Sequence, residues 1–214
     1  MKSAAAPVVV FVEGGGNTEL SRRALHEAFS AFLEKTALGI KRRPKMVASG
    51  SRTNAFDDFK IAKAQGKQAL LLVDSEDPVR LESQTPANQP EQWRPWAHLM
   101  DRDAWERPDR AADSDCHLMT QCMESWLIAD WTALQQYFGQ GFLAKQRPKG
   151  MIEAIPKEAV LATLEKATKD CKTKGAYQKG RDSFKLLARI DPELVCAASP
   201  WAKRLVDELG RRKP

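Results

Sequence analysis

The sequence predicts an α/β fold: a central, mostly parallel sheet of about four or five strands flanked by helices, with a helical C-terminal part. Three observations predict it. Short apolar runs alternate with amphipathic stretches in the order β-α-β-α-β across residues 8–77, the order that builds open parallel sheets. The runs are apolar on both alternating sets of side chains, as in strands covered by helices on both faces. Acids appear where the runs stop, first Glu13 and then Asp74, Glu76 and Asp77.

The first expected strand is the β-branched run at 8–12, ended by Gly14, Gly15 and Gly16. Asn17 or Thr18 caps the next helix, in which Leu20, Ala24, Ala28, Ala31 and Phe32 recur near helical spacing. KMVASG at 45–50 is a weaker second strand, and the helix after it ends at Gly66. QALLLVDSED at 68–77 is the third strand. Residues 77–114 carry five prolines and the tryptophans Trp93, Trp96 and Trp105, which predicts a long irregular connection with at most short helices. HLMTQCM at 117–123 reads as a fourth strand running into a helix at ESWLIAD, 124–130, with a further short helix at 132–139. Helices follow at 156–172, 181–189 and 198–209. The expected organisation is an α/β core over 1–140, with its insertion at about 77–114, and a basic helical part over 141–214 packed on that core.

Composition narrows the class. A hydrophobic share of 43% with 29% charged residues is that of a soluble globular chain, and no apolar stretch is long enough to span a bilayer. Residues 1–12 lack the pattern of a secretory signal. The four scattered cysteines form no CxxC pair, which argues for reduced thiols in the cytoplasm and against zinc. The net charge of +6 leans toward a polyanionic partner. Two stretches sharpen it: KRRPK at 41–45, and Lys166 to Lys185 with Lys166, Lys169, Lys172, Lys174, Lys179, Arg181 and Lys185. Mild basicity by itself is common and says little.

The candidate chemistry sits at the strand ends. Ligands of open parallel sheets bind beyond the carboxyl ends of the strands. If strand one lies beside strand three, Glu13 meets Asp74 and Glu76. Carboxylates that close repel unless a cation neutralises them, and an oxygen-only set suits magnesium or manganese. The glycines do not make a P-loop, since EGGGNTEL lacks the lysine followed by Ser or Thr. They let the backbone approach a phosphate, with the N-terminus of the following helix aimed at the anion. The histidines are weaker candidates. His26 falls on a charged helix face, His98 lies in the irregular segment, and His117 reads as packed or hydrogen-bonded. The three tryptophans of the connection read as packing residues before base-stacking ones.

The set VEGGGNTEL, LLVDSED, HLMTQCMESWLIAD and YQKGRDSF resembles the Toprim domain, above all uncharacterised small bacterial Toprim and RloB-like proteins related to the overcoming-lysogenization-defect nucleases. The resemblance runs from about residue 8 to 205 and implies a Toprim-like Rossmannoid fold. It assigns the first acid to Glu13 and the paired acids to Asp74 and Glu76, the last a glutamate where the pattern has aspartate. It adds Glu124 as a further acid, making Glu13, Asp74, Glu76 and Glu124 the implied ligands of Mg2+ or Mn2+. By the same analogy Lys174, Lys179 and Arg181 assist at the phosphate. A metal-dependent nuclease or phosphoryl-transfer enzyme acting on DNA or RNA follows, in bacterial defence beside a separate ABC-type or AAA-type ATPase. With only Tyr137 and Tyr177 available, a topoisomerase with its own tyrosine domain is not expected. The alternative is a non-catalytic Toprim-like module that docks to an ATPase or to nucleic acid.

Overall fold

The computed structural model describes residues 7–39 and 44–212. Lys41, Arg42 and Arg43 of the first basic stretch lie outside the described residues.

Four parallel strands form one sheet in the order β2-β1-β3-β4, with β1 Val9–Glu13, β2 Lys45–Gly50, β3 Ala69–Asp74 and β4 Cys116–Met119. The layout is Rossmannoid. Strand one lies beside strand three, Val10 opposite Leu70 and Val12 opposite Leu72. Alternate residues of β3 serve different faces. Leu70 and Leu72 join one apolar cluster, and Ala69, Leu71 and Val73 join the other. That is why the run is apolar throughout and why β3 is buried at every position.

Helix α1, Glu19–Glu34, begins at Thr18, whose Oγ1 accepts from Ser21 N, and buries Leu25, Phe29 and Phe32 on the first face. Helix α2, Arg52–Ala64, begins at Ser51 in the same way and buries Phe56 and Phe59 on the second face. The chain thus covers opposite faces before and after β2.

The 77–114 connection is more ordered than its prolines suggest. It contains α3, Pro95–Asp103, and short 3-10 turns on either side. Trp96 sits against Phe56 and Phe59, Trp105 stacks on Phe56 at 4.3 Å, and Trp93 packs on Trp201 at 4.7 Å. Trp93 and Trp96 are buried in the second core and Trp105 packs against it, as their packing reading has it.

Strand β4 is shorter than the 117–123 expected for it, because the chain turns at 120–122 into α4, Met123–Ala129. Helices α5 Trp131–Phe138, α6 Lys157–Thr168 and α7 Ser183–Leu187 follow. The helix expected at 198–209 is α9, Pro200–Arg211, and a helix not expected, α8 Pro192–Ala198, precedes it. Asp191 and Ser199 cap them and proline opens each, a pairing of cap and N1 proline that starts helices. Leu164, Leu186, Val195 and Leu205 of the C-terminal helices share one cluster with Val10 and Leu70 of the sheet. Among the described residues no helix is long and apolar enough to cross a membrane.

Candidate metal centre

Glu13 closes β1 and Asp74 closes β3, the two neighbouring strands at which the chain switches sides of the sheet. Such a switch point opens a crevice beyond the carboxyl ends. Here the crevice is a cavity of about 650 Å³ walled by Glu13, Asp74 and Glu124, by Gly14 to Gly16, and by Lys179, Arg181, Ser183 and Lys185.

The turn after Glu13 takes three successive positive φ angles, 116°, 82° and 55°, at Gly14, Gly15 and Gly16, which glycine adopts without strain. A Cβ on Gly15 would stand 3.1 Å from Arg22 Cα and Ala48 Cβ, so the turn also lies tight against α1 and β2. Gly14 corrects the expectation that the whole turn offers its backbone to a phosphate. Its amide donates to Gly50 O at 2.8 Å, and Gly50 N donates back at 3.0 Å. The amides of Gly15 and Gly16 donate to no group among the described residues. The first turn of α1 reaches the cavity at Leu20 and Ser21.

Glu13 Oε2 accepts from Asp74 N at 3.2 Å and from Arg52 at 3.1 Å. Asp74 is 6% exposed, and its Oδ1 accepts from Met123 N at 2.9 Å. Glu76 has φ 64°, so the chain bends there instead of running on extended. Its carboxylate nevertheless returns to the others: Glu13, Asp74 and Glu76 each bring an oxygen within 4.8 Å of one another. Glu76 does not line the cavity; Lys157 Nζ lies 2.6 Å from both of its oxygens and 3.6 Å from Asp74 Oδ2. Glu124 approaches from the cavity side and is fully buried. Its Oε1 accepts from Tyr177 OH and Ser183 Oγ, both at 3.2 Å, and its Oε2 lies 3.5 Å from Lys179 Nζ.

The electrostatics follow from burial and crowding. Burial, then the charges of Glu13 and Glu124, push the Asp74 carboxyl up to about 8 against the pull of Lys157 and Lys179. Burial opposes the Lys157 charge, but its bond to Glu76 and the Asp74 charge outweigh that and raise it. Burial and the Glu124 charge raise the Tyr177 hydroxyl, which stays protonated and donating. The donor set fits a hard divalent cation: oxygen only, clustered, with one carboxylate whose ionisation lacks a sufficient partner.

The predicted basic residues divide. Lys179 and Arg181 line the cavity, with Lys185 beside them. Arg181 binds Asp182 at 2.7 Å and the carbonyls of Lys174 and Ala176, so its guanidinium fixes its own loop. Lys174 is corrected: its Nζ lies 4.8 Å from the Tyr137 ring centroid, and it takes no part in the cavity wall. Lys166, Lys169 and Lys172 also lie away from that wall. His98 and His117 are packed, bonded to the carbonyls of Ser75 and Ser114.

Sequence reasoning missed Arg52 and Lys157, yet a signal existed. Each is the first residue of its helix, where the macrodipole disfavours a cation. A base at that position calls for a carboxylate partner. Tyr177 and Ser183 lie inside the YQKGRDSF stretch and hold Glu124.

A family model described as "Domain of unknown function (DUF4276)" matches residues 12–210. The chain belongs to the DUF4276 family. All the acids and bases of the centre lie inside the matched span. No curated protein and no solved structure matches the chain.

Proposed function

We propose that this DUF4276 protein is a metal-dependent nuclease, or a related phosphoryl-transfer enzyme, acting on DNA or RNA with Mg2+ or Mn2+. One observation carries the reading. Glu13, the buried Asp74 and Glu124, and the bases Lys179 and Lys185 line a single cavity at the carboxyl end of the sheet. The acids suit a cation, and the bases beside them suit the phosphate it would meet. The Toprim resemblance points to the same chemistry.

Glu13 and Asp74 would hold the ion, with Glu76 behind them. The ion, when bound, activates a water and offsets charge at the scissile phosphate. Met123 N fixes Asp74 Oδ1, leaving Oδ2 to turn toward the ion. Tyr177 and Ser183 fix Glu124, which would orient a water. Lys179, with a side chain 53% exposed and its Nζ 3.5 Å from Glu124 Oε2, would exchange that carboxylate for a phosphate and meet the charge that develops there. On the resemblance we further propose a cytoplasmic role in bacterial defence beside a separate ATPase. The four free cysteines suit a reducing compartment.

The test is cleavage of single- and double-stranded DNA and RNA in Mn2+, with Glu13→Gln as the control. The variant should lose about 10²-fold in rate or more, the scale of one lost electrostatic contributor. Cleavage that ignores the substitution would refute the assignment. A specific observation favours a second reading, a non-catalytic binding module. Arg52 and Lys157 already pair with Glu13 and Glu76, so the acids also tie the starts of α2 and α6 to the strand ends. Absence of cleavage, with Mn2+ leaving the melting temperature unmoved, would select that module.

A further inference from the structure

Lys157 bridges two acids of the centre, Glu76 and Asp74. We propose that its ammonium is the built-in second cation of the centre, so that the site takes one divalent ion and not two. This rests on the metal reading above.

The geometry carries it. Two-metal centres place their ions about 3.5–4 Å apart and bridge them with carboxylates. Lys157 Nζ bridges two acids in that manner, lying 2.6 Å from both oxygens of Glu76 and 3.6 Å from Asp74 Oδ2. Both Glu76 oxygens are engaged, so that carboxylate serves the ammonium first. Asp74 Oδ1 is held by Met123 N, so Oδ2 is the oxygen shared between Lys157 and the cavity. On the cavity side Glu13 Oε1 has no partner among the described residues, while its Oε2 is held by Arg52 and Asp74 N. One ion thus finds oxygens on the Glu13 side, and the Glu76 side is filled.

Charge gives the same answer. Glu13, Asp74 and Glu76 face Arg52 and Lys157. Arg52 is further shared with Asp103, so when all four acids are ionised they leave two negative charges over the two bases. A single divalent cation meets that excess; a second would overcharge the cluster. The position of the lysine supports design over accident. It opens α6 with a side chain only 18% exposed, where the helix dipole repels a cation, and the two carboxylates are what hold it there.

The test counts Mn2+ by calorimetry and by electron paramagnetic resonance, which distinguishes an isolated ion from a coupled pair. Wild-type protein should bind one ion with the signal of an isolated centre. Lys157→Met, which keeps the apolar stem and removes the charge, should bind two and show spin coupling. Lys157→Met combined with Glu76→Gln should return to one. Lys157→Arg should restore one ion, a rescue that lost packing alone does not predict. Circular dichroism and a cooperative melt establish that each variant folds, and Lys157→Gln serves if the methionine variant does not. Two ions in the wild type, or one in a folded Lys157→Met, would overturn the role of Lys157 and leave the metal reading standing. No ion in the wild type would overturn the metal reading itself.

Discussion

Asp74→Asn should stabilise this protein in the absence of metal, and only at high pH. The substitution keeps the shape and the Oδ1 acceptor that Met123 N uses at 2.9 Å, and it removes one charge from the most crowded acid. The Asp74 carboxyl is raised from 3.8 to about 8 by burial and then by Glu13 and Glu124. A carboxyl harder to ionise in the folded state than in the unfolded state stabilises the fold below the unfolded value. That stabilisation is lost as pH rises through the folded value. The window therefore opens near 3.8 and closes near 8. At about 1.4 kcal/mol per tenfold change in proton affinity the gap sets a ceiling of about 6 kcal/mol. Relaxation and water entry around a buried charge reduce such penalties, and an effect of ~2 kcal/mol is expected. For a chain of this size that is a gain of about 4–8 °C in melting temperature. The assay is thermal unfolding in chelator across pH ~4 to ~9 for both proteins. The curves should meet at the acid end and separate toward pH 8, with the variant the more stable. Added Mn2+ should then raise the wild type and not Asp74→Asn. A variant less stable than the wild type at high pH would show that Asp74 is held by its partners rather than strained by its neighbours.

The remaining predictions concern the cavity wall and the second core. Lys179→Ala should lower metal-dependent cleavage about 10²-fold, if Lys179 meets charge in the transition state, while Lys174→Ala should leave it near the wild-type rate; equal losses would refute the division of the basic stretch. Nucleic-acid binding should weaken linearly in a log–log plot against salt, and salt-independent binding would point to a protein partner. Arg204→Ala should cost about 3 kcal/mol or more. Its guanidinium donates at 2.7 Å to the carbonyls of Pro90, Cys116 and Asp113 and contacts His117 Nδ1 at 3.1 Å, all beneath α9. Lysine should not rescue it, because an ammonium cannot reproduce the fork; a denaturant titration showing rescue would count against this role.

The sheet was legible because its signals are local and strong. Continuous apolar runs separated by amphipathic helices fix a covered parallel sheet, and acids at strand ends mark the switch point. Glu13 and Asp74 were legible for that reason, and Glu124, in the first turn of α4, only through the Toprim resemblance. What stayed hidden depends on distant pairing. Lys174 and Lys179 are alike in sequence, but one covers the Tyr137 ring and the other enters the cavity. Arg52 and Lys157 come from helices far from the acids in the chain, and only their unfavourable place at helix starts hinted at partners. Residues 77–114 looked irregular because proline breaks periodicity, yet their tryptophans bury against α2 and α9 and order the segment. The start of α8 was signalled by Asp191 and Pro192 but lost between two longer helical patterns.

The central claim is that Glu13 and Asp74 hold a divalent cation at the end of the sheet. Calorimetric titration of Mn2+ into wild-type protein and Glu13→Gln near pH 7, repeated in buffers of different ionisation enthalpy, tests it most directly. The wild type should bind saturably and release a proton, since the raised Asp74 carboxyl must ionise to become a ligand. Glu13→Gln should bind at least about 10-fold more weakly, the lower end of what altered metal sites lose. Equal binding by the two proteins, or no binding by the wild type, would contradict the account.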